Sequence, residues 1–181
     1  MERFGLSPLI RFTLLCLYVA LVLPLPILAP ASLHTPMLVG LVLGLVLVMG
    51  LLSEQVETDD TGITVRYPTW IRWLLRRGWS MRWGDIRALV PVGTSQGGTV
   101  YYLKSADLNH QLLPQRIERF DAFLSTLHER SSVDTSGIGR LTPPWTYQAL
   151  AGMSALMVVG ELITGLAIVQ GWINVPASYP G

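Results

Sequence analysis

Charge is scarce in this chain, and the shortage is uneven. Only 14% of its 181 residues are Asp, Glu, Lys or Arg, half are hydrophobic, and the mean hydropathy is +0.44. That is too apolar for a single water-soluble domain. Cysteine is reduced to one residue, Cys16, which excludes an intrachain disulfide framework. The three histidines, His34, His110 and His128, have no ligand-like spacing with each other or with Cys16, and no zinc, haem or phosphate-loop signature occurs, so no metal site is expected. A net charge of +1 gives no electrostatic case for a nucleic-acid partner.

What the chain has instead is three long apolar runs, at residues 12–29, 37–52 and 147–173. Each is long enough to cross a hydrocarbon core of roughly 30 Å as a helix. Pro24 and Pro26 should loosen the end of the first, and a short turn with Pro30 and Pro36 folds the second back on it as a hairpin. The rival reading of the first run is a secretory signal peptide, with Arg3 and Arg11 ahead of an apolar stretch ending at Ala29; Pro30 would hinder cleavage there. Gly40 and Gly44 make a small-xxx-small pair, either a docking face for a partner's helix or a contact within the hairpin.

Residues 53–130 have ordinary globular composition. Glu54 to Thr58 and Ile63 to Tyr67 alternate around Asp59-Asp60-Thr61-Gly62, which is a β-hairpin pattern. Strands are expected at 79–83, 86–92, 99–104 and 110–113. The period then changes: Ile117, Phe120, Phe123, Leu124 and Leu127 share one face of an amphipathic helix. A polar linker at 131–144 leads to the third span at 145–173 and a short tail at 174–181. The expected fold class is therefore three spans, with an α+β module between the second and third.

After the hairpin comes a stripe, its first part a short interfacial helix and its end the strand at 79–83, that holds four of the six tryptophans: Trp70, Arg72, Trp73, Arg76, Arg77, Trp79, Arg82 and Trp83. Interleaved Trp and Arg suit the boundary of lipid and water, so the stripe is expected to lie on a membrane or against a partner. All thirteen Lys and Arg precede the first span or fall between the second and third. By the positive-inside rule the amino terminus and the module are cytoplasmic and the carboxyl terminus lies on the other side.

Trp83-Gly84-Asp85-Ile86-Arg87-Ala88-Leu89 and Arg119-Phe120-Asp121-Ala122-Phe123-Leu124, with several strands and one closing helix, resemble the pleckstrin-homology-like domain of bacterial membrane proteins over residues 53–130. The resemblance implies a β-barrel or sandwich closed by a C-terminal helix. A membrane hairpin joined to a small β module is also similar to photosystem assembly factors of cyanobacteria and plastids, which implies a thylakoid membrane as the alternative to a cellular inner membrane. In the first family lipid headgroups sit near the first hairpin turn, yet here that turn carries Asp59 and Asp60.

Catalytic groups are not expected. Gly93-Thr94-Ser95-Gln96-Gly97 matches the nucleophile-elbow pattern, but a strand follows it rather than a helix. The acidic residues Glu54, Glu57, Asp59 and Asp60 read as a solvated hairpin or a protein-contact patch. Glu161 is the one charged residue inside a span, flanked by Gly160 and Gly165. A carboxyl at bilayer depth is costly, so it is either protonated and bonded within the chain or turned to a partner subunit.

The resulting expectation is a non-enzymatic membrane auxiliary protein serving a larger membrane complex, an assembly factor or accessory subunit. It needs no cofactor of its own, and a pigment would be reached only through a partner. The alternative is a lipid- or stress-sensing module reading anionic lipid through its arginines.

Overall fold

The computed structural model describes residues 1–74, 78–95, 97–107 and 109–173. The chain divides into two units, residues 1–10 with 50–144, and residues 11–49 with the chain from 145 onward.

Among the described residues the first unit holds seven strands in two antiparallel sheets. One sheet runs β1 (Glu2–Gly5), β2 (Gln55–Thr58), β3 (Gly62–Arg66), β4 (Trp79–Arg82), and the other runs β5 (Ile86–Gly93), β6 (Thr99–Ser105), β7 (His110–Leu112). In the first sheet Val56 faces Val65 and Thr58 faces Ile63. The β2–β3 turn is built by Asp59, whose Oδ1 accepts hydrogen bonds from the Thr61 amide (2.7 Å), the Thr61 hydroxyl (2.6 Å) and the Gly62 amide (2.9 Å). An aspartate that satisfies the next backbone donors in this way favours a tight turn over continued strand.

β1 is a strand that the sequence pattern does not announce. Four residues with one large apolar side chain are too few to display a period, and they run directly into the first apolar stretch. The strand forms because Phe4 is fully buried, edge-on to Phe123 with ring centroids 5.6 Å apart. Its register places Arg3 opposite Glu57 and Phe4 opposite Val56. Past its end Leu6 bridges to Ile117, and the Glu118 amide donates to the Gly5 carbonyl at 2.9 Å. The module is thus assembled from segments on both sides of the apolar hairpin.

After β7, helix α4 (Phe120–Ser131; numbered after the apolar helices α1–α3 below) packs Phe120, Phe123, Leu124 and Leu127 into the core with Ile63, Met81, Leu103 and Leu113, as the 3.6-residue period predicts. It starts only at Phe120 because Arg119 is left-handed (φ +48°). That conformation lays the Arg119 guanidinium 5.2 Å over the Phe4 ring and lets it donate to the Arg3 carbonyl at 3.2 Å.

In the second unit, α1 (Pro8–Val22) and α2 (Pro24–Leu28) are parted at Leu23, and α3 (Ala31–Leu51) and α5 (Pro144–Val169) follow in chain order. The stretches Pro8–Leu28, Ala31–Leu51 and Trp145–Val169 are long and apolar enough to cross a membrane, at 21, 21 and 25 residues. At about 1.5 Å per residue, 21 residues cover the ~30 Å core. The break at Leu23 follows from Pro24 and Pro26, which supply no N–H to the carbonyls of Ala20 and Val22. The Tyr18 hydroxyl donates to the Leu41 carbonyl at 2.7 Å, and the Thr13 hydroxyl to the Tyr147 carbonyl at 3.3 Å. In hydrocarbon such bonds have no competing water.

Candidate functional site

The tryptophan–arginine stripe is divided between surface and core. After β3 the Pro68 carbonyl accepts the amides of Ile71 (3.2 Å) and Arg72 (3.1 Å), which closes a helical turn. Ile71 anchors it: the side chain is buried and lies so close to Gly50, in the last turn of α3, that any side chain there would collide with it. With Ile71 inward, Trp70, Trp73 and Leu74 point outward, at 49%, 80% and 52% exposure, and Arg72 is exposed beside them. The Trp73 indole N–H donates to the Trp70 carbonyl at 2.9 Å, which holds the Trp73 ring against the backbone of the turn. Arg66, Thr69, Arg72, Trp73 and Ser80 line an open hollow of about 890 Å3 next to this turn.

The stripe does not continue as expected through β4. There side chains alternate, so Arg82 is exposed while Met81 is buried and Trp79 is half-buried against the core. Trp83 is a correction: it is 6% exposed and belongs to the core, because it follows Met81 by two residues and continues the inward face of β4. Its indole N–H donates to the Asp59 carbonyl at 2.8 Å. Arg76 and Arg77 lie outside the described residues.

The acidic residues are largely consumed within the module. Glu57 is buried and pairs with both Arg3 and Arg66. Asp60 meets Arg130 at 3.0 Å. The three hydrogen bonds at Asp59, from Thr61 first and Gly62 after it, hold its carboxyl below the usual range. Burial pushes the Glu54 carboxyl up, against smaller opposing effects of Arg116 and a hydrogen bond from Tyr67. The Gly93–Gly97 segment forms the β5–β6 hairpin, with the Thr94 amide donating to the Gly98 carbonyl at 2.7 Å and Gly97 at φ +78°. Ser95 sits exposed in that hairpin, with a strand after it. Among the described residues, no group of three or more His, Cys, Asp or Glu could hold a metal ion.

Along the apolar helices the glycines separate into two sets. A side chain at Gly44 would collide with the Tyr18 hydroxyl, so this glycine serves the contact within the hairpin. A Cβ at Gly40, Gly160 or Gly165 would meet no described atom within 4 Å. Glu161 lies between the last two, and its Oε2 is shielded from solvent with no hydrogen-bond partner among the described residues.

Sequence reasoning passed over Arg3, Phe4 and Tyr18. For Tyr18 a signal existed, a large hydroxyl-bearing ring in the first run and a glycine pair in the second. For Arg3 and Phe4 there was none, since their partners lie more than 50 residues away.

No protein-family model matches the chain, and no solved structure matches it. It is 37% identical over 181 residues to slr0269, an uncharacterized protein of Synechocystis sp. (strain ATCC 27184 / PCC 6803 / Kazusa), in an alignment covering 97% of this chain and 89% of that protein. Because the alignment spans nearly the whole of both chains at that identity, the chain belongs to the family of this Synechocystis protein.

Proposed function

We propose that this protein is an integral membrane auxiliary subunit: three spans and a pleckstrin-homology-like module that dock on a larger membrane complex, as an assembly factor or accessory subunit. The complex we assign is a photosystem in a thylakoid membrane, on the likeness of a membrane hairpin joined to a small β module. The PH-like reading is supported by two antiparallel sheets followed by one helix that packs its apolar face into their core. The apolar hairpin is then an insertion after the first strand. The charge pattern favours a cytoplasmic amino terminus and module, with the carboxyl end opposite, because all thirteen Lys and Arg lie at or before Arg11 or between the second and third apolar stretches.

The observation that carries the reading is Glu161. A carboxyl oxygen that is shielded and unpartnered among the described residues is costly in hydrocarbon, and the open glycines on either side allow another helix to approach closely. A partner that supplies a donor to Glu161 removes that cost. The test is purification of the tagged protein from its native membrane in mild detergent, with mass spectrometry and an absorption spectrum of what accompanies it. Stoichiometric photosystem subunits, lost on Glu161→Leu, are the expected result. A colourless protein that comes down alone overturns it.

A second reading rests on a separate observation, the outward Trp70, Arg72 and Trp73 beside a hollow that also contains Arg66. This is a lipid- or stress-sensing module on an anionic membrane surface, where each basic residue near the surface contributes about 1 kcal/mol. Binding to anionic vesicles that falls with added salt favours it, and binding insensitive to salt removes it.

A further inference from the structure

A cavity of about 460 Å3 opens at the seam between the two sheets of the module, within the range of roughly 300–1,000 Å3 typical of small-molecule sites. Tyr67, Gly78 and Trp79 form one wall, and Val100, Tyr102 and the β7 strand form the other. Its rear wall is fixed by Gln115, which is buried and donates from Nε2 to the carbonyls of Thr99 (3.2 Å) and Gly139 (3.0 Å).

Both polar and apolar groups line it. Glu54, Tyr67, Tyr102, His110, Gln111 and Arg116 supply donors and acceptors, while Leu112, Leu113 and Leu141 supply aliphatic surface. Among the described residues the lining has one carboxylate and one guanidinium, and they are neighbours: Arg116 acts on Glu54 electrostatically, and the Tyr67 hydroxyl bonds it. A bound anion would be opposed by Glu54 and a bound cation by Arg116. An uncharged group rich in hydroxyls can bond to both without separating them, and Trp79, Tyr67 and Tyr102 offer flat apolar faces for its C–H surfaces.

The position of the lining residues along the chain says where such a ligand comes from. Leu6 is two residues before the start of α1, Glu54 three residues after the end of α3, and Leu141 three residues before the start of α5. Three residues of fully extended chain span at most about 11 Å. All three points at which the chain passes into its apolar helices therefore border this one cavity. We infer that the cavity binds the neutral, hydroxyl-rich headgroup of a glycolipid drawn from the adjoining membrane leaflet. This is independent of the partner assigned to Glu161, since it uses none of the same residues.

The experiment is native mass spectrometry of the full-length protein in a sugar-free polyoxyethylene detergent. It is titrated with monohexosyl diacylglycerol, phosphatidylcholine, phosphatidylethanolamine and phosphatidylglycerol of identical acyl chains. The expected result is retention of the hexosyl lipid by about tenfold over phosphatidylcholine, the size of one or two hydrogen bonds, falling to parity in Glu54→Gln and in Tyr102→Phe. If Glu54→Gln does not fold, Tyr102→Phe carries the comparison. Equal retention of the four lipids, a preference for the anionic or the zwitterionic lipid, or a preference that survives in Tyr102→Phe overturns the inference. Free methyl hexoside in excess should leave the lipid bound; its displacing the lipid at equal concentration would assign the site to a soluble sugar instead.

Discussion

The Nε of Arg3 lies 3.1 Å from Oε1 of Glu57, although 53 positions separate the two residues and an entire apolar hairpin lies between them in the chain. The other carboxylate oxygen is held by Arg66. Glu57 is buried while both arginines stay largely solvated, so the pair marks where the amino terminus is sewn into the sheet. We expect Arg3→Ala to cost about 1–2 kcal/mol, because the buried Glu57 carboxylate loses one partner and keeps Arg66. Phe4→Ala, which empties a fully buried aromatic site, should cost roughly 3–5 kcal/mol. Thermal unfolding of the two variants in detergent would compare them, and equal losses would show that β1 is held by charge and not by its phenyl ring.

The two kinds of tryptophan should separate cleanly. Trp83→Phe removes the indole donor to the Asp59 carbonyl and should lower stability by about 1 kcal/mol, the net contribution of one intramolecular hydrogen bond. Trp73→Ala, at 80% exposure, should leave the unfolding temperature nearly unchanged and instead weaken association with membrane or partner. Circular dichroism melts with a vesicle co-sedimentation assay would read both effects.

Glu54 and Asp59 should give opposite pH dependences. Burial raises the Glu54 carboxyl, so the folded protein holds that proton more tightly than the unfolded chain. Its contribution is then most favourable at low pH and is lost as pH rises through the raised value. Glu54→Gln should raise the melting temperature at mildly alkaline pH and leave it unchanged below the carboxylate range. The Asp59 carboxyl is depressed by its bonds to Thr61 and Gly62, so its contribution is present above the ordinary aspartate value and is lost as pH falls through the depressed one. Asp59→Ala should lower the melting temperature near neutrality and make no difference in strong acid.

Within the apolar helices, Gly44→Leu should displace Tyr18 and break its bond to the Leu41 carbonyl. Gly40→Leu has open space in front of it and should leave the hairpin intact. Resistance of the purified protein to denaturing detergent would rank the two, and equal sensitivity would show that the Tyr18 contact does not hold the hairpin.

Local pattern was enough for much of this molecule. Three runs of sufficient length and almost no charge determined the apolar helices, because backbone groups in hydrocarbon must bond within their own segment. Alternation around Asp59-Asp60-Thr61-Gly62 determined the β2–β3 hairpin, and the spacing of Phe120, Phe123, Leu124 and Leu127 determined which face of α4 is buried. Each of these depends on residues within about a dozen positions of one another. Tertiary structure alone decided the membership of β1 in the sheet, since Phe4 is buried by Phe123 and Arg3 is paired with Glu57 across the hairpin. It alone decided that Ile71 turns inward and Trp73 outward, because Ile71 is seated against Gly50 at the end of α3. It also brought Glu54, Tyr102 and Arg116 to one cavity, because these residues come from distant segments and meet only after both sheets have formed.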